Sequence, residues 1–160
     1  MTSTLPAPAV VTEHPPPARR PLFVALLVLF RVLTTAHLGL ALVQPISIGQ
    51  YLDGRYGLLR LHQTAAGLLV LTALVLALVG VGYVLAGGRL WALGCPLLFL
   101  LAGVQTGLGY NRALGVHIPL GVALVALAVA VAVLSWAPAA ARPRAPRRTH
   151  RTAAGDGAVA

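Results

Sequence analysis

Three histidines and one glutamine stand out in the sequence, because each lies in an otherwise apolar stretch. They are His37, His62, Gln105 and His117, and each belongs to a different stretch. A neutral imidazole is a common metal ligand, and imidazoles and amides also form hydrogen bonds between helices. A polar group in apolar surroundings is costly unless it has a partner. What these side chains can do therefore depends on whether the fold brings them together.

The composition indicates an integral membrane protein. Of the 160 residues, 58% are hydrophobic and 9% are charged, whereas soluble domains carry about a quarter charged residues. A formal net charge of +9 would suggest nucleic-acid binding in a soluble protein, but the arginines lie mostly in two terminal tails. In the tails they set membrane topology and contact anionic lipid, so we expect the bilayer, and no nucleic acid, as a partner.

Four apolar stretches are long enough to span the hydrocarbon, which takes about 20 residues of helix. The predicted helices lie near 22–44, 60–84, 91–110 and 114–136. The second and third connections are short, which favours antiparallel neighbours. The predicted fold is an all-α, up-down-up-down four-helix bundle at 21–137. We expect a disordered tail at 1–20 and a disordered basic tail at 138–160.

The distribution of arginine predicts the orientation of the bundle. One side of the membrane would carry both tails and Arg89, and the other side would carry Arg55, Arg60 and Arg112. Arginine-rich segments stay in the cytoplasm. Both termini are therefore expected to be cytoplasmic, in a multi-pass protein of the bacterial inner membrane, which is its cell membrane.

Arg31 is predicted to lie near the middle of the first helix, where a cation costs at least about 2.5 kcal/mol on insertion scales. The acidic residues Glu13, Asp53 and Asp156 all lie outside the spans. An anionic partner for Arg31 must then come from a ligand, a lipid or another chain. The alternative is that Arg31 points into the bundle and donates to backbone carbonyls or to Thr34.

With this topology the four polar residues share one layer of the outer leaflet. At about 1.5 Å per residue, His62 and His117 lie near the outer ends of their helices. Gln105 is about five residues from the outer end of the third helix, and His37 about seven from that of the first. Such a layer can bind a cofactor, or it can only fix helix packing through hydrogen bonds.

Small residues beside the two shallow histidines favour a flat cofactor. Ala66 and Gly121 each follow a histidine by four residues and so share its helix face. Flat space between two facing imidazoles suits a porphyrin, whose iron takes axial nitrogen ligands from opposite helices. From spacing alone, haem and simple helix packing both remain open.

Two segments of the chain resemble one four-helix half of the bacterial and mitochondrial haem A synthases. They are LRLHQTAAGLLVLTALVLAL and LLAGVQTGLGYNRALGVHIPLGVAL. In that pattern a histidine opens the second helix, a glutamine followed by glycine ends the third, and a histidine opens the fourth. His62, Gln105 and His117 stand at these places. The chain is also similar to small uncharacterised four-helix membrane proteins of actinobacteria.

The resemblance implies a b-type haem with His62 and His117 as its two metal ligands, and Gln105 would be a hydrogen-bonding neighbour. Arg60 and Arg112, at the outer rim, are placed to meet haem propionates. His37 has no clear counterpart in the family and is a third candidate for the cofactor site.

The chain departs from the haem A synthases in three ways. It has one half where they have two, and it lacks both the outer cysteine pair and the catalytic acidic residue. The resemblance therefore does not imply the haem-oxidising reaction, and no catalytic residue is assigned.

We expect a cytochrome b-like membrane protein that serves electron transfer or haem handling, and whether it is an enzyme is left open. Its partner would be a second copy that rebuilds the tandem arrangement, or a membrane redox protein. The alternative is a cofactor-free structural or accessory membrane protein. A small transporter or channel is less favoured, because the sequence offers no acidic relay and no internal inverted repeat.

Overall fold

The structure is a computed structural model that describes residues 20–144, and its regular elements are all helical. The four long helices are α1 (Arg20–Leu52), α2 (Leu58–Leu85), α3 (Gly94–Tyr110) and α4 (Leu114–Trp136). Short 3-10 helices precede α3 (Leu90–Leu93) and follow α4 (Pro138–Ala141). All four long segments are long and apolar enough to cross a membrane, which confirms the all-α class and the predicted membrane helices.

The four helices form a bundle in which each packs against two others. Helix α1 packs against α2 and α4, and α3 packs against the same two helices. Consequently α2 and α4 occupy opposite corners of the bundle. A group held between side chains of α2 and α4 would lie inside the ring of helices.

The outside of the bundle is as apolar as its core. Exposed large side chains occur along every long helix, among them Leu22, Leu78, Leu100 and Val122. A helix that is hydrophobic on all sides is typical of a membrane span. The surface therefore fits contact with a lipid bilayer.

Helix α1 ends at Leu52 rather than at residue 44, and Pro45 lies inside it. A proline within a helix removes the backbone hydrogen bond to the carbonyl four residues earlier, here that of Ala41, which membrane helices tolerate. Just after the proline, the Ser47 hydroxyl donates to the carbonyls of Val43 at 2.7 Å and Gln44 at 3.0 Å. The extra turns bring the Ser47 hydroxyl within 3.3 Å of Nδ1 of His62 in α2.

The densest packing in the described range is an aromatic cluster on α1, α2 and the 3-10 turn before α3. Tyr83 is fully buried, and its ring stacks on Phe30 with centroids 5.4 Å apart and on Phe23 at 5.6 Å. Trp91 lies against the same cluster, 5.8 Å from Phe30. These large rings give one end of the bundle a well-filled core.

Part of the predicted disordered C-terminal tail is ordered. Beyond α4, Arg144 donates its backbone N–H to the Gly87 carbonyl at 2.8 Å and its guanidinium to the Val84 carbonyl at 2.9 Å. Arg89 donates in turn to the Ala139 carbonyl at 2.8 Å. The last carbonyls of a helix need outside donors, which arginines supply. The remaining predicted tails, 1–19 and 145–160, lie outside the described residues.

The Tyr83 hydroxyl ties this C-terminal segment to the aromatic cluster by donating to the Ala140 carbonyl at 2.7 Å. We expect Tyr83→Phe to lower the free energy of unfolding by about 1–2 kcal/mol, because it leaves a buried carbonyl without its donor. The measurement is an SDS titration in detergent micelles followed by circular dichroism. Tyr110→Phe is the matched control, since Tyr110 is 72% exposed. Equal stability of the two variants would show that the hydrogen bond contributes nothing.

Candidate functional site

The structure brings His62 and His117 together across the bundle. Their ring centroids are 6.5 Å apart, with an angle of 61° between the ring planes. His62 lies in the second turn of α2 and His117 in the first turn of α4, and both are half-buried. The two imidazoles thus lie close together, although α2 and α4 occupy opposite corners of the helix ring.

A backbone carbonyl of α3 fixes the His117 ring. Its Nδ1 lies 2.9 Å from the Gln105 carbonyl oxygen, and because a carbonyl only accepts, Nδ1 carries the proton. The Gln105 amide donates back to the His117 carbonyl at 2.9 Å. This reciprocal pair joins the end of α3 to the start of α4, and in the neutral imidazole it leaves Nε2 of His117 without a proton.

The extended end of α1 orients His62 in the same way. Nδ1 of His62 lies 3.3 Å from the Gln44 carbonyl and 3.3 Å from the Ser47 hydroxyl. The Ser47 proton is directed at carbonyls of its own helix, so its oxygen is free to accept. Nδ1 is therefore the donor in His62 too. The two acceptors lie on either side of Pro45, so only the Ser47 contact depends on the turns of α1 beyond residue 44.

In the neutral form both histidines therefore carry their proton on Nδ1 and none on Nε2. In the described residues neither Nε2 has a hydrogen-bond partner, whereas both Nδ1 atoms do. An imidazole whose Nδ1 donates to a carbonyl is the usual form of a metal-ligating histidine. With ring centroids 6.5 Å apart, His62 and His117 are close enough that both could hold one metal-containing group.

Two histidines alone would suit only a metal ion that already has other ligands. Among residues 20–144 no cluster of three or more His, Cys, Asp or Glu side chains is close enough to hold a metal ion. A structural zinc site uses four protein ligands, while haem iron takes four nitrogens from the porphyrin and needs one or two from protein. Cys95 is buried in the aromatic cluster and takes no part.

Glycines shape the surroundings of the site, but not all as the sequence suggests. Gly121 does not leave room beside an imidazole, because a Cβ there would lie 2.8 Å from Nε2 of Gln105. Gly109 gives the His117 ring its space, with an added Cβ only 2.8 Å from Cε1. A Cβ added at Gly67, by contrast, would meet no atom within 4 Å. The room at the site is thus partly filled by the Gln105 amide.

Gln105 also has one buried atom without a partner. Its Oε1 accepts no hydrogen bond from any described residue, although its amide nitrogen is paired. An unpaired buried acceptor costs about 1–3 kcal/mol. Oε1 therefore marks a place where a donor from a bound molecule or water would be stabilising.

His37 lies apart from the other two histidines. It is 3% exposed, and its Nδ1 is 2.8 Å from the Thr72 hydroxyl. Residues 62 and 72 of α2 are ten apart, a rise of about 15 Å. The sequence predicts that His37 shares one layer with His62, Gln105 and His117. The observed layer does not include it, because α1 continues to Leu52 and places His37 deeper than a helix ending at 44 would.

The two rim arginines flank the histidine end of the bundle. Arg60 lies in the first turn of α2, and Arg112 lies in the turn between α3 and α4 with a left-handed φ of 57°. Both side chains are exposed. In the described structure neither contacts a histidine, so their role toward a cofactor stays a prediction.

Sequence reasoning missed Gln44, Ser47 and Gly109, which orient or accommodate the histidines. Gln44 is the last residue of the predicted first helix and Ser47 lies beyond it, after Pro45, so nothing local places either residue beside His62. Gly109 had a weak signal, since it follows Gln105 by four residues and so shares its helix face.

No protein-family profile, curated protein or solved structure matches the chain. The inference of function therefore rests on the site itself and on the sequence.

Replacing Gly109 tests the packing of the His117 ring. We expect Gly109→Ala to lower the free energy of unfolding by about 1–3 kcal/mol, because the new methyl group meets the His117 ring, whose Nδ1 is fixed by the Gln105 carbonyl. Gly107→Ala is the matched control, since a Cβ at that position of α3 meets nothing within 4 Å. SDS titration of both variants in micelles is the measurement. A Gly109→Ala protein as stable as the control would contradict the close contact.

Proposed function

We propose that this protein spans the cell membrane and binds a b-type haem between α2 and α4 near the outer face. Its role is electron transfer or haem handling. The helices run up-down-up-down with both termini in the cytoplasm. The observation that carries the proposal is the pair of imidazoles, His62 and His117, each with Nδ1 on a carbonyl and Nε2 free.

His62 and His117 would hold the iron, and Gln105 would be the nearest hydrogen-bonding neighbour. When bound, the haem supplies one-electron redox chemistry between ferric and ferrous iron. The carbonyls of Gln44 and Gln105 hold the imidazoles in the ligating tautomer and raise their basicity. Arg60 and Arg112, exposed at the same end, provide positive charge for propionate groups.

Contacts between helices support the proposed topology. Along α1, Ser47 meets His62, while His37, earlier in α1, meets Thr72, later in α2. Residue numbers rise along α1 where they fall along α2, which favours an antiparallel arrangement of these two helices. The excess of arginine in the two tails and at Arg89 favours their cytoplasmic location. One four-helix unit with one haem would need an electron partner, either a second copy or a membrane redox protein.

One observation favours the alternative, a cofactor-free structural or accessory protein. Gln105 and His117 satisfy each other through two bonds of 2.9 Å, so this pair can join α3 and α4 without a ligand. Gln44 pairs with His62 in the same reciprocal way but at longer distances, 3.3 Å from its carbonyl to Nδ1 of His62 and 3.4 Å from its amide to the His62 carbonyl. A metal bond to Nε2 would add to this weaker fixation of His62.

A dithionite-reduced minus oxidised visible spectrum tests the proposal. For full-length protein expressed with haem available and purified in detergent, we expect sharp α and Soret bands. His62→Ala and His117→Ala should each abolish or strongly weaken haem binding. His37→Ala is the matched control and should keep the spectrum, because His37 is paired with Thr72 away from the site.

Two outcomes would overturn the haem assignment. One is a colourless but helical wild-type protein, which would favour the structural alternative, with the histidine variants changing stability alone. The other is full retention of the spectrum in both the His62 and His117 variants.

A further inference from the structure

A second charged feature lies far from the histidine site, at the end of α4. Arg31 is half-buried, and its Nε donates to the Ser135 carbonyl at 2.9 Å. Its guanidinium carbon lies 5.0 Å from the centroid of the Trp136 ring, and the Trp136 indole donates to the Thr35 hydroxyl at 3.1 Å. Arg31 thus lies level with the last turn of α4 rather than in mid-membrane. It is sixteen residues along α1 from Ser47, about 24 Å.

Most of the hydrogen-bonding capacity of Arg31 is unused. A guanidinium has five N–H donors, and among the described residues only the Nε donor is paired. The acidic residue within residues 20–144 is Asp53, which lies beyond the far end of α1, about 33 Å away along the helix. The bundle therefore presents two guanidinium nitrogens and a full positive charge without an anion of its own.

An apolar groove adjoins this charge on the outward-facing surface of the bundle, between α1 and α4. Its volume is about 520 Å³, and it opens to the surface of the bundle. The groove is lined by Thr35, Leu38, Ala132, Val133, Trp136 and Ala137. Trp136 belongs to both features, since it lines the groove and lies against Arg31.

We propose that Arg31 and this groove bind an anionic phospholipid. The lipid phosphate accepts hydrogen bonds from the free guanidinium nitrogens, and an acyl chain lies along Leu38 and Val133. Three observations select this occupant: an unpaired cation, an apolar groove open to the lipid side, and Trp136 between them. Arginine suits phosphate because its planar donors bind two oxygens at once, and tryptophan favours the headgroup depth. The inference is independent of haem binding.

Bromine-quenching of tryptophan fluorescence tests the lipid site directly. The chain has two tryptophans, so Trp91→Phe leaves Trp136 as the reporter in the groove. The full-length protein is reconstituted in vesicles in which either phosphatidylglycerol or phosphatidylcholine, at equal fraction, carries brominated chains. The readout is the ratio of the two quenching levels. We expect phosphatidylglycerol to be preferred about fivefold, the factor for one cationic contact.

Charge variants distinguish a specific site from general attraction to an anionic surface. Arg31→Gln should reduce the ratio to about one, and Arg31→Lys should retain part of it, because a lysine keeps the charge but loses the planar donors. Arg55→Gln is the matched control: Arg55 is exposed near the other end of α1 and donates to Gln50. It removes the same charge and should leave the ratio unchanged.

The proposal is overturned if the two lipids quench Trp136 equally in the parent protein. It is also overturned if Arg31→Gln and Arg55→Gln lower the ratio alike. If Arg31→Gln does not fold, Arg31→Lys decides, since an unchanged ratio in that variant would mean that charge alone, not a phosphate-binding geometry, attracts the lipid.

Discussion

Inside hydrocarbon a polar side chain cannot form hydrogen bonds to water. Unless it finds a partner within the protein, its burial costs free energy. This constraint organises the described bundle. Thr34 meets Ser135 between α1 and α4, and His37 meets Thr72 between α1 and α2. His117 meets the Gln105 carbonyl between α4 and α3. The pair α2 and α3 is joined differently, by the close approach of Gly80 to the 3-10 turn and Cys95.

These contacts divide the bundle into two unlike ends. At one end the rings of Phe30, Tyr83 and Trp91 fill the core, and the chain after α4 folds back over them. At the other end Tyr51 and Tyr56 lie with ring centroids 5.7 Å apart, and the His117 ring and the Gln105 amide lie close to Gly109 and Gly121. One end is therefore filled by stacked aromatic rings, and the other is held largely by hydrogen-bonded polar side chains.

The sequence predicts the helices well because the hydrocarbon sets a minimum length for each apolar run. For α4 the predicted limits, 114–136, coincide with the observed Leu114–Trp136. For α1 they do not, because Pro45 indicates a helix end to any local reading, whereas the helix continues through it to Leu52 and packs on α2. The convergence of His62, His117 and Gln105 follows from depth alone. Their acceptors do not, because Gln44 and Ser47 become neighbours of His62 only through the packing of α1 on α2.

The lengths of the helices also bear on the bilayer around them. Helices α1 and α2 have 33 and 28 residues, whereas α3 and α4 have 17 and 23. At about 1.5 Å per residue, α1 spans about 50 Å and α4 about 35 Å, against a hydrocarbon thickness of about 30 Å. Such mismatch is relieved by tilting or by local thickening of the bilayer. One half of the bundle is therefore longer than the other, and in a bilayer the tilt or the change in local thickness would be concentrated along the seams where α1 meets α4 and α2 meets α3.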